Sequence, residues 1–172
     1  GGSAQDPGAF DFFGDGDQLF ISQTGLLSID LFQGATAFRP VDWLVRISPA
    51  FNVNYLELEE RNNTNIDVRE GRTRGDSHIL LQEAFLELHL GDVSPNFDFV
   101  ATKVGRQLFV SDFRGFIFND VSDGVRLFGN AASNRVQWNV ALFNQVDKNT
   151  NSELNELEWR DQQVLIGNVY VQ

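Results

Sequence analysis

From about Leu19 onward the chain alternates apolar and polar residues. Between Trp43 and Glu59, Trp43, Val45, Ile47, Phe51, Val53 and Tyr55 fall on one side of an extended chain, and Arg46, Ser48, Asn52 and Asn54 fall on the other. Side chains of a strand point alternately to opposite faces, so period two predicts a strand with one apolar and one polar face. Pro49 interrupts the apolar side and has no N–H for a ladder, which predicts a bulge or an edge position there. The same alternation sets Leu27, Ile29, Leu31, Ala35 and Ala37 against Ser28, Asp30, Gly34 and Thr36. It returns in Leu80, Ala84, Leu86, Leu88 and Leu90 against Glu83, Glu87 and His89, and in Val136, Trp138, Val140 and Leu142 against Arg135, Gln137 and Asn139. Residues 97–109, 123–130 and 162–171 read as further strands. The pattern predicts an all-β, antiparallel meander of about seven strands over residues 19–172, preceded by an irregular Gly-, Asp- and Phe-rich segment over residues 1–18, with no helical period of any length.

The links between strands alternate as regularly as the side chains. Residues 39–42, 91–96 and 130–134 are short links, whereas residues 61–77, 110–122 and 145–161 are long, polar ones. A transmembrane β-barrel of the bacterial outer membrane has short periplasmic turns and long extracellular loops, and a soluble sandwich has no reason to gather its long loops at one end. Trp43 and Tyr55 lie twelve positions apart on the apolar side, which at roughly 3.3 Å per residue and a tilt of roughly 40° spans about 30 Å, the height of an apolar band. Trp43, Tyr55 and Trp138 are therefore expected at membrane interfaces. Asp30, Arg46, Asn52, Asn54, Glu83, Glu87, Arg106, Arg126 and Asn139 are expected to line the lumen. For any single one of them the plainer reading is a residue paired with its neighbours. Such barrels have an even number of strands and must close, so a count of about seven carries the expectation that the natural protein continues beyond both ends of this sequence.

Composition narrows the function classes. The 172 residues carry a formal net charge of -11 and a pI near 4.4, and the mean hydropathy is -0.23. Only two of the 13 basic residues are lysines, Lys103 and Lys148, which argues against a nucleic-acid partner. The absence of cysteine removes disulfide, thiolate-metal and thiol chemistry. No run of 18 apolar residues and no leader pattern is visible, and methionine is absent, so the sequence reads as a processed or trimmed product. Modest mean hydropathy does not argue against a membrane barrel, whose strands average out. Asp11, Asp15 and Asp17 alternate as calcium ligands do, but no bidentate Glu follows at the required spacing. His78 and His89 are too far apart to ligate together from one strand, and no nucleophile motif occurs. No enzyme activity, metal or cofactor is expected.

The richest motifs lie within residues 82–130: Val104-Gly105-Arg106-Gln107, then Ser111-Asp112-Phe113-Arg114-Gly115-Phe116, then Asp123-Gly124-Val125-Arg126-Leu127. This succession resembles bacterial outer-membrane porins of the alginate-export and phosphate-selective type. The resemblance implies a barrel larger than this chain could build, set in outer-membrane lipid, monomeric or homo-oligomeric, and passing small, often charged solutes by diffusion. Arg106 and Arg126 are the residues expected to favour anions, because a guanidinium is always charged and grips carboxylate or phosphate with two donors. The link carrying Phe113, Arg114, Phe116 and Phe118 is too aromatic to stand wholly in water and is expected to fold inward as a constriction; the plainer alternative extends the flanking strands. Two other readings compete. One is a soluble antiparallel β domain that binds carbohydrate, and the other is a barrel sheathing a partner such as an electron-transfer protein.

Overall fold

The computed structural model describes residues 18–34, 41–58, 73–112, 115–149 and 152–172. The acidic trio and nearly all of the irregular segment lie outside them, as do Ala35, Ala37, Phe113 and Arg114. Among the described residues eight strands follow one another: β1 (Gln18–Leu26), β2 (Ile29–Gln33), β3 (Trp43–Leu58), β4 (Thr73–Ser94), β5 (Asp98–Val110), β6 (Asn119–Ala131), β7 (Val136–Lys148) and β8 (Asn155–Val171). All are antiparallel in one sheet, ordered β1-β3-β4-β5-β6-β7-β8, with β2 also on β3. Leu26 faces Ala50 and Ile29 faces Ile47, so β1 and β2 continue one ladder along β3, interrupted at Leu27 and Ser28, where Leu27 N–H donates to the Pro49 carbonyl at 3.1 Å. Eight strands thus fill seven positions. Among the described residues the sheet does not close on itself, and β1 and β8 stand at its two edges.

The two faces of the sheet differ in exposure, with apolar side chains in the open on one and polar side chains buried on the other. On β3, Phe51 and Val53 are 52% and 56% exposed, whereas Asn52 and Asn54 between them are 1% and 2% exposed. The same holds on the neighbouring strands, where Ile79, Leu86, Val104, Leu108, Val125, Val140, Leu142, Leu165 and Val169 stand exposed. The polar residues bond to neighbours on the same face, along their own strand and on the adjacent one. Asn52 Nδ2 donates to Ser22 Oγ at 3.1 Å and Thr24 Oγ1 at 3.0 Å, and Asn54 Nδ2 donates to Asn52 Oδ1 at 2.6 Å. Hydrogen bonding of this kind is what lets amides sit at such burial.

Pro49 produces the expected irregularity, but on its partner strand. Ser48 faces Glu83 and Pro49 faces Leu81, so Gln82 is the extra residue of a bulge. One consequence overturns part of the sequence pattern. A one-residue offset moves every following side chain to the other face. Leu80 therefore does not share the apolar face with Ala84 and Leu86; it is buried on the polar face against Ala50, and Ile79 is the exposed residue.

After β3 the links alternate as expected, but the long ones are shorter than the sequence suggests, and the link between β2 and β3, expected to be short over residues 39–42, spans nine residues, more than the links that follow β5 and β7. Three and four residues (95–97 and 132–135) follow β4 and β6, and fourteen, eight and six follow β3, β5 and β7. The difference is taken up by strand: β4 begins at Thr73, inside a stretch that reads as loop because its residues are polar on both faces, and β8 begins at Asn155, where Leu157 and Trp159 alternate with Glu156, Glu158 and Arg160. At the short-link end, Asp98 ties two turns together. Its carboxylate accepts from Ser94 Oγ at 2.7 Å, from the Ser133 N–H at 3.1 Å and from the Asn134 N–H at 2.9 Å. Ala132, Ser133 and Asn134 all have positive φ, a strained run that such an acceptor stabilises. Asp98→Ala should speed hydrogen exchange at the Ser133 and Asn134 amides and leave β3 unchanged; equal rates at both turns in parent and variant would remove Asp98 from that role.

Candidate functional site

Of the residues expected to line a lumen, Asp30, Arg46, Asn52, Asn54, Glu83, Glu87, Arg126 and Asn139 all occupy the polar face. The charged ones gather near its middle. Arg46 donates from Nε and Nη2 to the two oxygens of Asp30 at 2.7 Å each, and from Nη1 to Glu83 at 3.2 Å. Lys103, missed in the sequence reading because its strand alternates poorly, pairs with Glu87 at 3.1 Å and lies 3.9 Å above the Phe85 ring. Three carboxylates thus stand beside three cations. Arg126 alone among these cations forms no ion pair among the described residues; its Cζ lies 4.5 Å from the Phe128 ring centroid and 5.0 Å from that of Phe109.

The distance to Phe109 is unexpected from the register. Arg126 faces Lys103, and Phe109 is six residues farther along β5, roughly 20 Å away if that strand ran straight. The tip shows the same displacement more strongly. Asn168 faces Asn139, Asn139 faces Phe128 and Phe128 faces Ala101, so Asn168 is level with Ala101. Ser111 is ten residues beyond, roughly 33 Å for an extended strand. Yet the Ser111 carbonyl accepts from Tyr170 Oη at 2.6 Å and from Asn168 Nδ2. The upper β5–β6 hairpin must therefore fold back over the polar face. There Phe109 meets Phe143 at 5.3 Å and Phe118 stacks on Phe143 at 6.2 Å, with Ala141 and Ile166 against them. Lys148 pairs with Asp120 at 2.8 Å and fastens the hairpin's other strand.

The elbow is made by glycines. Gly105 has φ of +117°, and a Cβ there would run into the Ala84 carbonyl; a Cβ on Gly124, which faces Gly105, would run into the Leu142 carbonyl and the Phe143 ring. Pairing of β4 with β5 stops at Ala84 and Arg106, and pairing of β6 with β7 stops at Ser122 and Gln145, whereas β5 and β6 stay paired to Val110 and Asn119. Behind the departing hairpin β4 and β8 meet: Asn155 Nδ2 donates to Gln82 Oε1 at 2.8 Å.

Arg106 sits in that junction, and its expected place in the lumen is corrected here. Its register partners are Ala84 and Asp123, on the side that carries Val104 and Leu108. It is only 4% exposed and donates from Nε and Nη2 to both Asp123 oxygens at 2.8 Å, and from Nη1 to the carbonyls of Leu81 (3.1 Å) and Glu156. The Trp159 indole N–H completes the group by donating to Asp123 at 2.8 Å. All donors of this guanidinium that point at the junction are spent on joining β4, β6 and β8.

Trp43, Tyr55 and Trp138 share the apolar face, where Trp43 Nε1 donates to Gln33 Oε1 at 3.0 Å and Tyr55 Oη to Glu57 at 3.0 Å. Of the aromatic link, Phe118 is in the cluster on the polar face, Phe116 is exposed at the tip, and Phe113 and Arg114 lie outside the described residues. Of the residues that hold the hairpin down, Phe109 opens the aromatic stretch expected to fold inward, whereas Phe143, Asn168 and Tyr170 carried no distinguishing signal. The one available clue was Gly105 and Gly124 inside strands, where glycine marks a bend or a close backbone approach. No family model matches the chain, and neither the curated proteins nor the solved structures include a match to it.

Proposed function

We propose that this chain forms part of the wall of a porin-like β-barrel in a bacterial outer membrane, passing small polar solutes by diffusion past the folded-back hairpin. The observation that carries the reading is the inverted pair of faces: exposed Phe51 and Val53 alternate with fully buried, hydrogen-bonded Asn52 and Asn54. In water such an arrangement exposes apolar area across the whole outside of the sheet, and hydrocarbon is the surrounding that makes it favourable. A soluble carbohydrate-binding domain would need the opposite arrangement. The hairpin lies where it would narrow an aqueous path, while polar side chains remain beside it. Because Arg106 is engaged in the wall, Arg46 and Lys103 are paired with carboxylates and Arg126 lies against two aromatic rings, the wall as folded offers no open guanidinium for an anion.

Spin labels at positions 45, 47 and 53 should be accessible to oxygen and shielded from water-soluble quenchers, with the reverse at 52 and 54; the opposite pattern sinks the membrane assignment. Channel activity is a separate measurement. Purified protein in a planar bilayer should give ohmic conductance, and a silent bilayer with correctly placed labels would turn the reading toward a filled barrel.

A further inference from the structure

We infer that Phe109 is a specificity-determining residue, which covers Arg126 and so keeps an anion preference latent in the pore; this rests on the porin reading above. Three observations converge on it. Arg126 stands on the polar face in line with Lys103, forms no ion pair among the described residues, and has an Nε that is buried without a hydrogen-bond partner. Its guanidinium carbon lies within 5.0 Å of the Phe109 ring centre and 4.5 Å of the Phe128 ring centre. A ring face attracts a cation while offering nothing to an anion, so this environment holds the charge and hides it. Finally, Phe109 reaches that position only because the hairpin folds back, since a straight β5 would carry it roughly 20 Å away.

Arg126 is therefore the one central cation whose availability to solute depends on the hairpin. Arg46 and Lys103 keep their carboxylates wherever the hairpin lies, because Asp30, Glu83 and Glu87 belong to β2 and β4. With Phe109 in place, its buried ring closes off that side of the guanidinium from solute. With Phe109 removed or displaced, a guanidinium held only by the more distant attraction of Glu87, which is already bonded to Lys103, faces the path and attracts carboxylate or phosphate groups with its fork of donors.

The test has two arms on the full chain. In detergent, phenylglyoxal modification of each arginine is followed by mass spectrometry, with exposed Arg135 as the internal reference. Arg126 should react several-fold more slowly than Arg135 in the parent and several-fold faster in Phe109→Ala, with Arg135 unchanged. A paired Asn168→Ala and Tyr170→Phe variant, which removes the donors to the Ser111 carbonyl but keeps every phenylalanine, should also raise Arg126 reactivity and decides the matter if Phe109→Ala does not fold. Equal reactivity of Arg126 and Arg135 in the parent, or an unchanged rate in both variants, overturns the masking. In planar bilayers under a chloride gradient, Phe109→Ala should shift the reversal potential toward anions, Arg126→Gln alone should not move it, and the double variant should return it to the parent value. A Phe109→Ala shift that persists without Arg126, or no shift despite fast Arg126 modification, overturns the role in selectivity. Absence of conductance in the parent counts against the porin reading, and the chemical arm still decides whether Arg126 is covered.

Discussion

Replacing Gly105 with valine is expected to throw the upper β5–β6 hairpin off the polar face, lengthening the distance between spin labels at Val110 and Val169 by more than about 10 Å. Gly105 adopts φ of +117°, which a β-branched residue does not tolerate, and its missing Cβ leaves the room taken by the Ala84 carbonyl. Valine must therefore straighten the strand or break its pairing with β4. Straightening withdraws Phe109 and Phe118 from Phe143, and a buried phenylalanine contributes about 1.5–3 kcal/mol. It also takes the Ser111 carbonyl away from Asn168 and Tyr170. Gly25, by contrast, has open space where a Cβ would stand. A Gly25→Val control should leave the distance as it is, and an unchanged distance in Gly105→Val would refute the glycine elbow.

The second large effect concerns Arg106. Arg106→Gln is expected to lower the unfolding free energy by about 3 kcal/mol, the usual cost of removing one partner from a buried ion pair, while leaving the ion preference of a reconstituted channel where it was. The loss arises because Asp123 retains its charge in the junction with only the Trp159 indole as donor, and because β4 and β8 lose the guanidinium that bridges their carbonyls. Lysine should rescue little, since a single ammonium cannot replace two parallel bonds to Asp123 and two to backbone carbonyls. Denaturant unfolding from detergent reads the first expectation and the reversal potential reads the second. A large change in reversal potential with stability intact would return Arg106 to the pore.

The period of two was legible without any structure, because each strand meets its surroundings on two sides only and apolar residues must go to one of them. It supplied the all-β class, the antiparallel meander and the irregularity at Pro49, with about seven strands expected against the eight described. It also placed Asn52, Asn54, Arg46, Glu83, Glu87 and Asn139 on one face. What alternation could not show was any contact between residues that are not ladder neighbours. Leu80 changed faces because the bulge fell at Gln82, on the partner strand, where nothing in the local pattern marks it. The start of β4 could not be read because residues 73–77 offer no apolar side chain on either side, whereas the start of β8 was legible in Leu157 and Trp159 alternating with Glu156, Glu158 and Arg160 and was passed over among its charges. Arg106 and Arg126 look equivalent in sequence, each following a glycine-containing turn of phrase in a strand, and the fold gives them opposite roles. One is locked at the junction that opens when the hairpin leaves the wall, and the other lies under a ring that the same hairpin brings down. That division depends on a main-chain angle at Gly105 and on carbonyls from β4 and β8, strands remote in sequence from β5 and β6, so only the tertiary structure decided it.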